Sequence, residues 1–331
     1  MLELESMTQT DLRRWLLESI TQRFRSNADL SLSDYIFSNS LFHTIETEQV
    51  EFMFDHRAEI VDTLASAQTV AELVGHCIDS TRRYTYERNQ FVNFTSEYEE
   101  LMNAEYTDFI LQIRSALMKS ETEPALEKAL VGVLQVHHAR LRLIMASYCV
   151  TYQDQDLHAN PLLRTVPCEE YSAGFQLFIL SLDLNELIEP VLDIGCGSNG
   201  ALVHYLRQHG IEAYGVDRLA PKEPFFFQSD WYDFDLDTET WGCILAHQSL
   251  STHFIHAYLH QPVSIEGFSR LMMKILSCLH RDSFLCYAPG MPFFELQVGK
   301  MPQFSITHHK ISMLLPEIEQ IAFSTKILKV G

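Results

Sequence analysis

Residues 190–218 read PVLDIGCGSNGALVHYLRQHGIEAYGVDR. Val191-Leu192-Asp193-Ile194 is a short, largely apolar run bounded by Pro190 and closed by glycine, the pattern of a buried strand. Gly195-Cys196-Gly197-Ser198-Asn199-Gly200 is a complete G-x-G-x-x-G. Ala201 to His209 carries helical spacing, with Leu202, Tyr205 and Leu206 on one face, and Gly210 is placed to end that helix in a left-handed conformation. Ile211 to Val216 makes a second strand, closed by Asp217. Strand, glycine turn, helix, strand and terminal acid together form a nucleotide-binding βαβ unit.

Glycines let the backbone turn sharply and let a ligand approach with no Cβ in the way. An acid at the end of the second strand can accept both hydroxyls of a ribose. These features fit NAD and S-adenosylmethionine equally. Asp193 favours the second. It lies inside the first strand, where a carboxylate repels a pyrophosphate and suits an ammonium. The string VLDIGCGSNG also resembles the first signature motif of the class I S-adenosylmethionine-dependent methyltransferases, and AYGVDR resembles their second. That resemblance implies that Asp193, Gly195, Cys196 and Gly197 face the methionine end and that Asp217 binds the ribose. It implies S-adenosyl-L-methionine as cofactor and S-adenosyl-L-homocysteine as product. The fold expected is α/β, a doubly wound, mostly parallel Rossmann-like sheet preceded by an all-α helical domain.

The 331 residues allow two domains of ordinary size. At 47% apolar and 21% charged residues, the composition is that of a globular protein. No apolar run is long enough to span a membrane, and the start MLELESMTQTDLRRW lacks a basic-then-apolar signal pattern. Seven cysteines are scattered without a C-x-x-C pair, which fits free thiols in a reducing cytoplasm. The net charge is −20, with 28 acids against 14 Lys and Arg in residues 1–185 and 16 against 10 in 186–331. Neither half offers the basic face that phosphate-backbone binding requires, so a nucleic-acid partner is disfavoured.

Residues 1–150 contain only Gly75, Pro124 and Gly132 as helix breakers, and the spacing predicts helices almost throughout. One is capped at Thr8-Gln9-Thr10-Asp11, and another starts at Ser31–Asp34 and carries Tyr35, Ile36 and Phe42. Others cover Val50–Ala65, Val70–Thr81 and Asn89–Lys119, and a last one opens at Pro124 and runs to about Cys149. Residues 151–168 read as a linker, and residues 169–331 as the cofactor-binding domain. A further helix is expected over Glu169–Leu187. Strands follow at Phe225–Gln228, Cys243–Ala246, Ser283–Ala288 and Phe323–Val330. Helices are expected at Val263–His280, Phe293–Val298 and Met313–Ile321. The helix that normally precedes the third strand has only Arg218–Pro224 available.

By the same resemblance, Asp230 and Trp231 after the third strand take the adenine, the acid at its amino group and the indole by stacking. By resemblance of position to the helix that precedes the first strand in that family, Tyr171 and Gln176 are candidates for the methionine end. His247, Gln248 and Ser249 lie at the carboxyl end of the fourth strand, where ligands bind in such sheets. Histidine has the intrinsic pKa of a general base, so His247 is the expected catalytic residue, and its place at the strand end makes it an expected cofactor contact as well. Gln248 and His253 are the expected substrate contacts. His253, His256 and His260 share a helical face, but no carboxylate repeats the spacing and no metal is expected. The acids Asp233, Asp235 and Asp237 lack the glycine and glutamate of a calcium loop, which are Thr238 and Ile244 here, and read as a solvated loop.

The activity expected is methyl transfer to an O or N of a small molecule, with the helical domain capping the site. Methylation of a basic protein or peptide, aminocarboxypropyl transfer and non-catalytic cofactor binding stay open as alternatives. A homodimer through the helical domain is compatible with the sequence.

Overall fold

The structure, a computed structural model, describes residues 8–27, 30–37, 45–150, 166, 171–238, 241–260, 265–311 and 320–331. The chain divides into two compact units, Met1–Cys168 and Glu169–Gly331. Among the described residues no helix is long and apolar enough to cross a membrane.

The first unit is helical: α1 (Gln9–Ser26), α2 (Leu32–Phe37), α3 (Thr47–Asp55), α4 (Arg57–Thr63), α5 (Ala67–Arg88), α6 (Ser96–Lys119) and α7 (Glu123–Val150). Thr8 and Asp11 form a reciprocal capping box at the start of α1. Ser66 caps α5, accepting the N–H of Thr69 at 3.3 Å. One expected helix is interrupted and another starts late. His56, at φ −102° and ψ 22°, divides the Val50–Ala65 stretch into α3 and α4. Asn89 ends α5 in an extended conformation rather than opening the next helix. Its side-chain oxygen accepts the N–H of Phe91 at 2.9 Å, and Gln90 and Arg88 bond the backbone of Val166. An Asx turn of this kind competes with helix, and α6 begins only at Ser96. Most of the expected linker lies outside the described residues, as does Phe42.

The second unit is built on a seven-stranded sheet. Its strands are β1 (Val191–Ile194), β2 (Ala213–Asp217), β3 (Phe226–Gln228), β4 (Cys243–His247), β5 (Phe284–Ala288), β6 (Phe304–Lys310) and β7 (Phe323–Lys329). Its helices are α8 (Ala173–Leu180), α9 (Ala201–Gln208), α10 (Leu250–His260), α11 (Ile265–Cys278) and α12 (Pro292–Val298). The sheet order is β3-β2-β1-β4-β5-β7-β6. The first five strands are parallel, and β7 is antiparallel to both β5 and β6. The unit is α/β, a doubly wound, mostly parallel Rossmann-like sheet, and it follows an all-α unit. The chain leaves β1 toward β2 and β3, then returns to place β4 on the other side of β1. The carboxyl ends of β1 and β4 therefore flank the switch point at which open α/β sheets bind ligands.

Strands β1, β4 and β5 are buried along their whole length, as parallel strands covered by helices on both faces must be. Side chains alternate between faces. Leu192, Ile194, Ile244 and Ala246 pack with α10 and α11. Val191, Cys243 and Leu245 pack with α8 and α9. The same alternation puts Asp193 and His247 on the α8 side.

Several expected boundaries shift. The helix expected over Glu169–Leu187 is described only as α8, because Ser172 caps it and Ser181 ends it in a left-handed conformation at φ 56°. A 3-10 turn at Leu184–Glu186 follows. The expected Met313–Ile321 helix lies mostly outside the described residues. Strand β6 was not expected at all. It is the exposed edge of the sheet, and its FSITHHK sequence carries too little apolar alternation to announce a strand.

Candidate cofactor cleft

The glycine turn leaves β1 with Gly195 at φ 84°, Gly197 at φ 71° and Gly200 at φ 55°, all left-handed. Two of these glycines are also required by close packing. A Cβ on Gly195 would stand 2.3 Å from Ser249 Cβ, and one on Gly200 would stand 2.2 Å from the Phe226 ring. A Cβ on Gly197 would meet nothing within 4 Å, so the backbone there faces open space. Ser249 closes the far side by donating its hydroxyl to the Ile194 carbonyl at 2.6 Å. Cys196 is buried, and its Sγ occupies the space beside Gly215, where a side chain would meet it at 2.8 Å. It fills space in the turn.

Two carboxylates border this turn. Asp193 is 2% exposed and sits in register with Gly215 on β2 and Leu245 on β4. Burial, with a smaller contribution from the charge of Asp217, pushes its carboxyl up to about 7. Its Oδ2 is buried without a hydrogen-bond partner. Asp217 ends β2 and accepts the N–H of Leu219 at 2.8 Å on Oδ1 and that of Gly197 at 3.3 Å on Oδ2. Burial raises its pKa as well, against the lowering effect of these backbone bonds.

Beyond β3, Asp230 accepts the N–H of Tyr232 at 2.9 Å, which fixes a tight turn that carries Trp231. The indole Nε1 is buried without a partner. Trp231 lies 3.2 Å from the Cβ position of Gly195 and meets His253 edge-on at 4.8 Å. Trp231 and the glycine turn are thus neighbours, though 36 residues separate Trp231 from Gly195 in sequence. Burial holds His253 well below the ordinary histidine range.

His247 ends β4 and is 7% exposed. Burial holds its imidazole down to about 4, so the ring is neutral near pH 7. Its Nε2 is buried without a partner. The rings of Tyr171 and Phe175 stack on each other at 5.3 Å and meet the imidazole edge-on at 5.1 and 6.0 Å. Phe175 is 40% exposed, and no local spacing in the sequence encodes its contact with His247. Gln176 donates its amide to the Tyr171 carbonyl at 3.0 Å. Gln248 follows His247 in a left-handed conformation at φ 48°, with its N–H on the Ala288 carbonyl at 2.8 Å.

His308 and His309 lie on β6. His308 bonds Glu295 at 3.0 Å, a buried carboxylate that also accepts from Tyr287, Thr325 and the N–H of Met291. That group pins α12 to β5 and β7. Among the described residues no three His, Cys, Asp or Glu side chains come together as metal ligands.

No protein-family model and no curated protein matches the chain. Among solved structures it is similar to the plantazolicin methyltransferase BpumL in complex with SAH, at 12% identity and a TM-score of 0.32, over 48% of this chain and 83% of that one.

Proposed function

We propose that the second unit binds S-adenosylmethionine and transfers its methyl group to an oxygen or nitrogen of a small molecule. The observation that carries this is the Asp193 carboxylate, buried beside the glycine turn at the switch point with Oδ2 unpartnered. A buried charge without a partner is costly, and an ammonium removes that cost where a pyrophosphate would raise it. Asp217 keeps acceptor capacity on both oxygens for a ribose diol, because each oxygen takes only one backbone N–H. The open face of Gly197 gives the ligand backbone to lie against, and Trp231 offers an indole next to the turn. Asp230 and Trp231 suit the adenine end, and Tyr171 the methionine end.

The cofactor supplies an electrophilic methyl group on a sulfonium. What the chain adds is position and proton acceptance. His247 Nε2, neutral and unpartnered, can accept a hydrogen bond from the nucleophile's O–H or N–H and so aim its lone pair. A base held at about 4 is weak, yet an oxygen that gains a methyl group becomes strongly acidic as it does so. Such an imidazole can take that proton, and an amine that binds neutral needs none taken during the transfer. The rings of Tyr171 and Phe175 pack against the imidazole. Gln248 and His253 remain the proposed substrate contacts.

The test is calorimetric titration of wild type, Asp193→Asn and Asp217→Ala with S-adenosylmethionine, S-adenosylhomocysteine and NAD. Micromolar binding of the two sulfur ligands, lost in both variants, is expected. Binding of NAD alone would overturn the assignment.

A further inference from the structure

The helical unit has a cavity of its own, about 480 Å³, between α1, α3, α5, α6 and α7. Its depth is apolar and buried, formed by Leu64, Leu73, Cys77, Ile110, Leu130 and Leu134. Exposed polar side chains, Gln22, Ser26 and Glu46, line its solvent side. A second cavity of about 110 Å³ shares Ile20, Cys77, Phe109 and Leu134 with the first. Arg23 borders both, on the face of α1 turned to the bundle interior.

Protein interiors carry few voids larger than a water molecule, because every lining atom forgoes dispersion contacts. A 480 Å³ space falls instead in the range of small-molecule sites, which bundles build between their helices. Its lining also has a polarity. Among the described lining residues Arg23 is the cation, and burial disfavours its charge. With five N–H donors in a planar fork, it can serve a carboxylate in addition to its existing neighbours.

We propose that the helical unit binds a small monoanionic amphiphile, a carboxylic acid whose acyl chain fills the 480 Å³ cavity and whose carboxylate sits at Arg23. This site is independent of the cofactor cleft.

The experiment is calorimetric titration of the full chain with octanoate, decanoate and dodecanoate, and with decanol and decylamine as charge controls. Affinity for the carboxylates is expected to rise about fourfold per added methylene until the chain outgrows the cavity. Decanol and decylamine are expected to bind at least tenfold more weakly than decanoate. Arg23→Gln should weaken decanoate at least tenfold and leave decanol unchanged, and Ile113→Trp, which fills the cavity, should weaken both. Circular dichroism identifies a variant that fails to fold, in which case Arg23→Lys and the wild-type chain-length series decide. Asp193→Asn should bind decanoate like wild type, so failure here is separate from failure of the cofactor assignment. No decanoate binding, equal binding of decanoate and decanol, or wild-type affinity in folded Arg23→Gln and Ile113→Trp would overturn the proposal.

Discussion

Asp217 accepts the N–H of Gly197 at 3.3 Å, so the acid that ends β2 is tied to the glycine turn that leaves β1. The ribose-binding and methionine-binding halves of the proposed site are therefore joined by a direct hydrogen bond. Asp193, next to the turn, carries the unsatisfied charge.

That charge should weaken the fold without ligand. A carboxyl pushed from 3.8 to about 7 holds a proton in the folded chain that the unfolded chain releases, so stability falls as pH rises through that window and the penalty is complete above it. At about 1.4 kcal/mol per unit the penalty is roughly 4 kcal/mol. Asp193→Asn removes it but leaves an amide donor to satisfy, at a cost of about 1–3 kcal/mol. Asp193→Asn is expected to be more stable than wild type at pH 8, by about 1–3 kcal/mol, and to lose that advantage by pH 4. Urea unfolding at the two pH values measures it. A variant less stable than wild type at pH 8 would show that Asp193 is already satisfied.

The same carboxyl should give cofactor binding a narrow pH optimum. Below about 7, Asp193 is protonated in the free protein and affinity should fall by up to tenfold per pH unit, with Asp217 contributing to the acid limb. Above about 8 an α-amino group loses its own proton, and the ion pair fails from the ligand's side. Titrations from pH 5.5 to 9.5 should show a maximum near pH 7–8 with net proton release on its acid side, read from calorimetry in buffers of different ionisation heat. A flat profile would remove the ammonium from Asp193.

Gly197→Ala separates packing from ligand contact. Its φ of 71° costs an alanine about 1–2 kcal/mol, but the new Cβ meets no protein atom within 4 Å. The variant should fold and bind S-adenosylmethionine at least tenfold more weakly. Gly195→Ala, whose Cβ would stand 2.3 Å from Ser249, should instead be lost to misfolding or low solubility. Undiminished cofactor affinity in Gly197→Ala would mean that the ligand does not lie along the turn.

Much of this arrangement was legible in the sequence. Residues 190–218 combine an apolar strand, the three glycines of the turn and helical periodicity, which together spell out strand, turn and helix in order. Asp193 stood out because a charge inside a buried strand needs a reason. The edge strand Phe304–Lys310 was illegible because its pairing with β7 depends on backbone bonds rather than on an apolar face. The late start of α6, at Ser96 rather than Asn89, goes with the bridge between Asn89 and Val166, far along the chain. Trp231 beside Gly195 and Phe175 against His247 are tertiary contacts with no signature in spacing. The cavity at Arg23 likewise exists only once five helices have packed.

His247 gives the last prediction. If Nε2 aims the nucleophile and takes its proton, His247→Phe should lower kcat by about 10²- to 10⁴-fold with cofactor affinity little changed. His247→Gln, which keeps an acceptor but cannot hold the proton, should fall between Phe and wild type. At saturating S-adenosylmethionine the wild-type kcat should show no limb from this group between pH 6 and 9, because burial holds the imidazole down to about 4. The unfolded chain takes up a proton at this histidine near 6.5 that the folded chain refuses until about 4, so the histidine destabilises the fold as pH drops through that window. His247→Phe should therefore flatten the loss of stability between pH 6.5 and 4. A kcat limb near 6.5 that disappears in His247→Gln would mean that the imidazole titrates as an ordinary, solvated histidine in the working enzyme, and that it acts as a full general base.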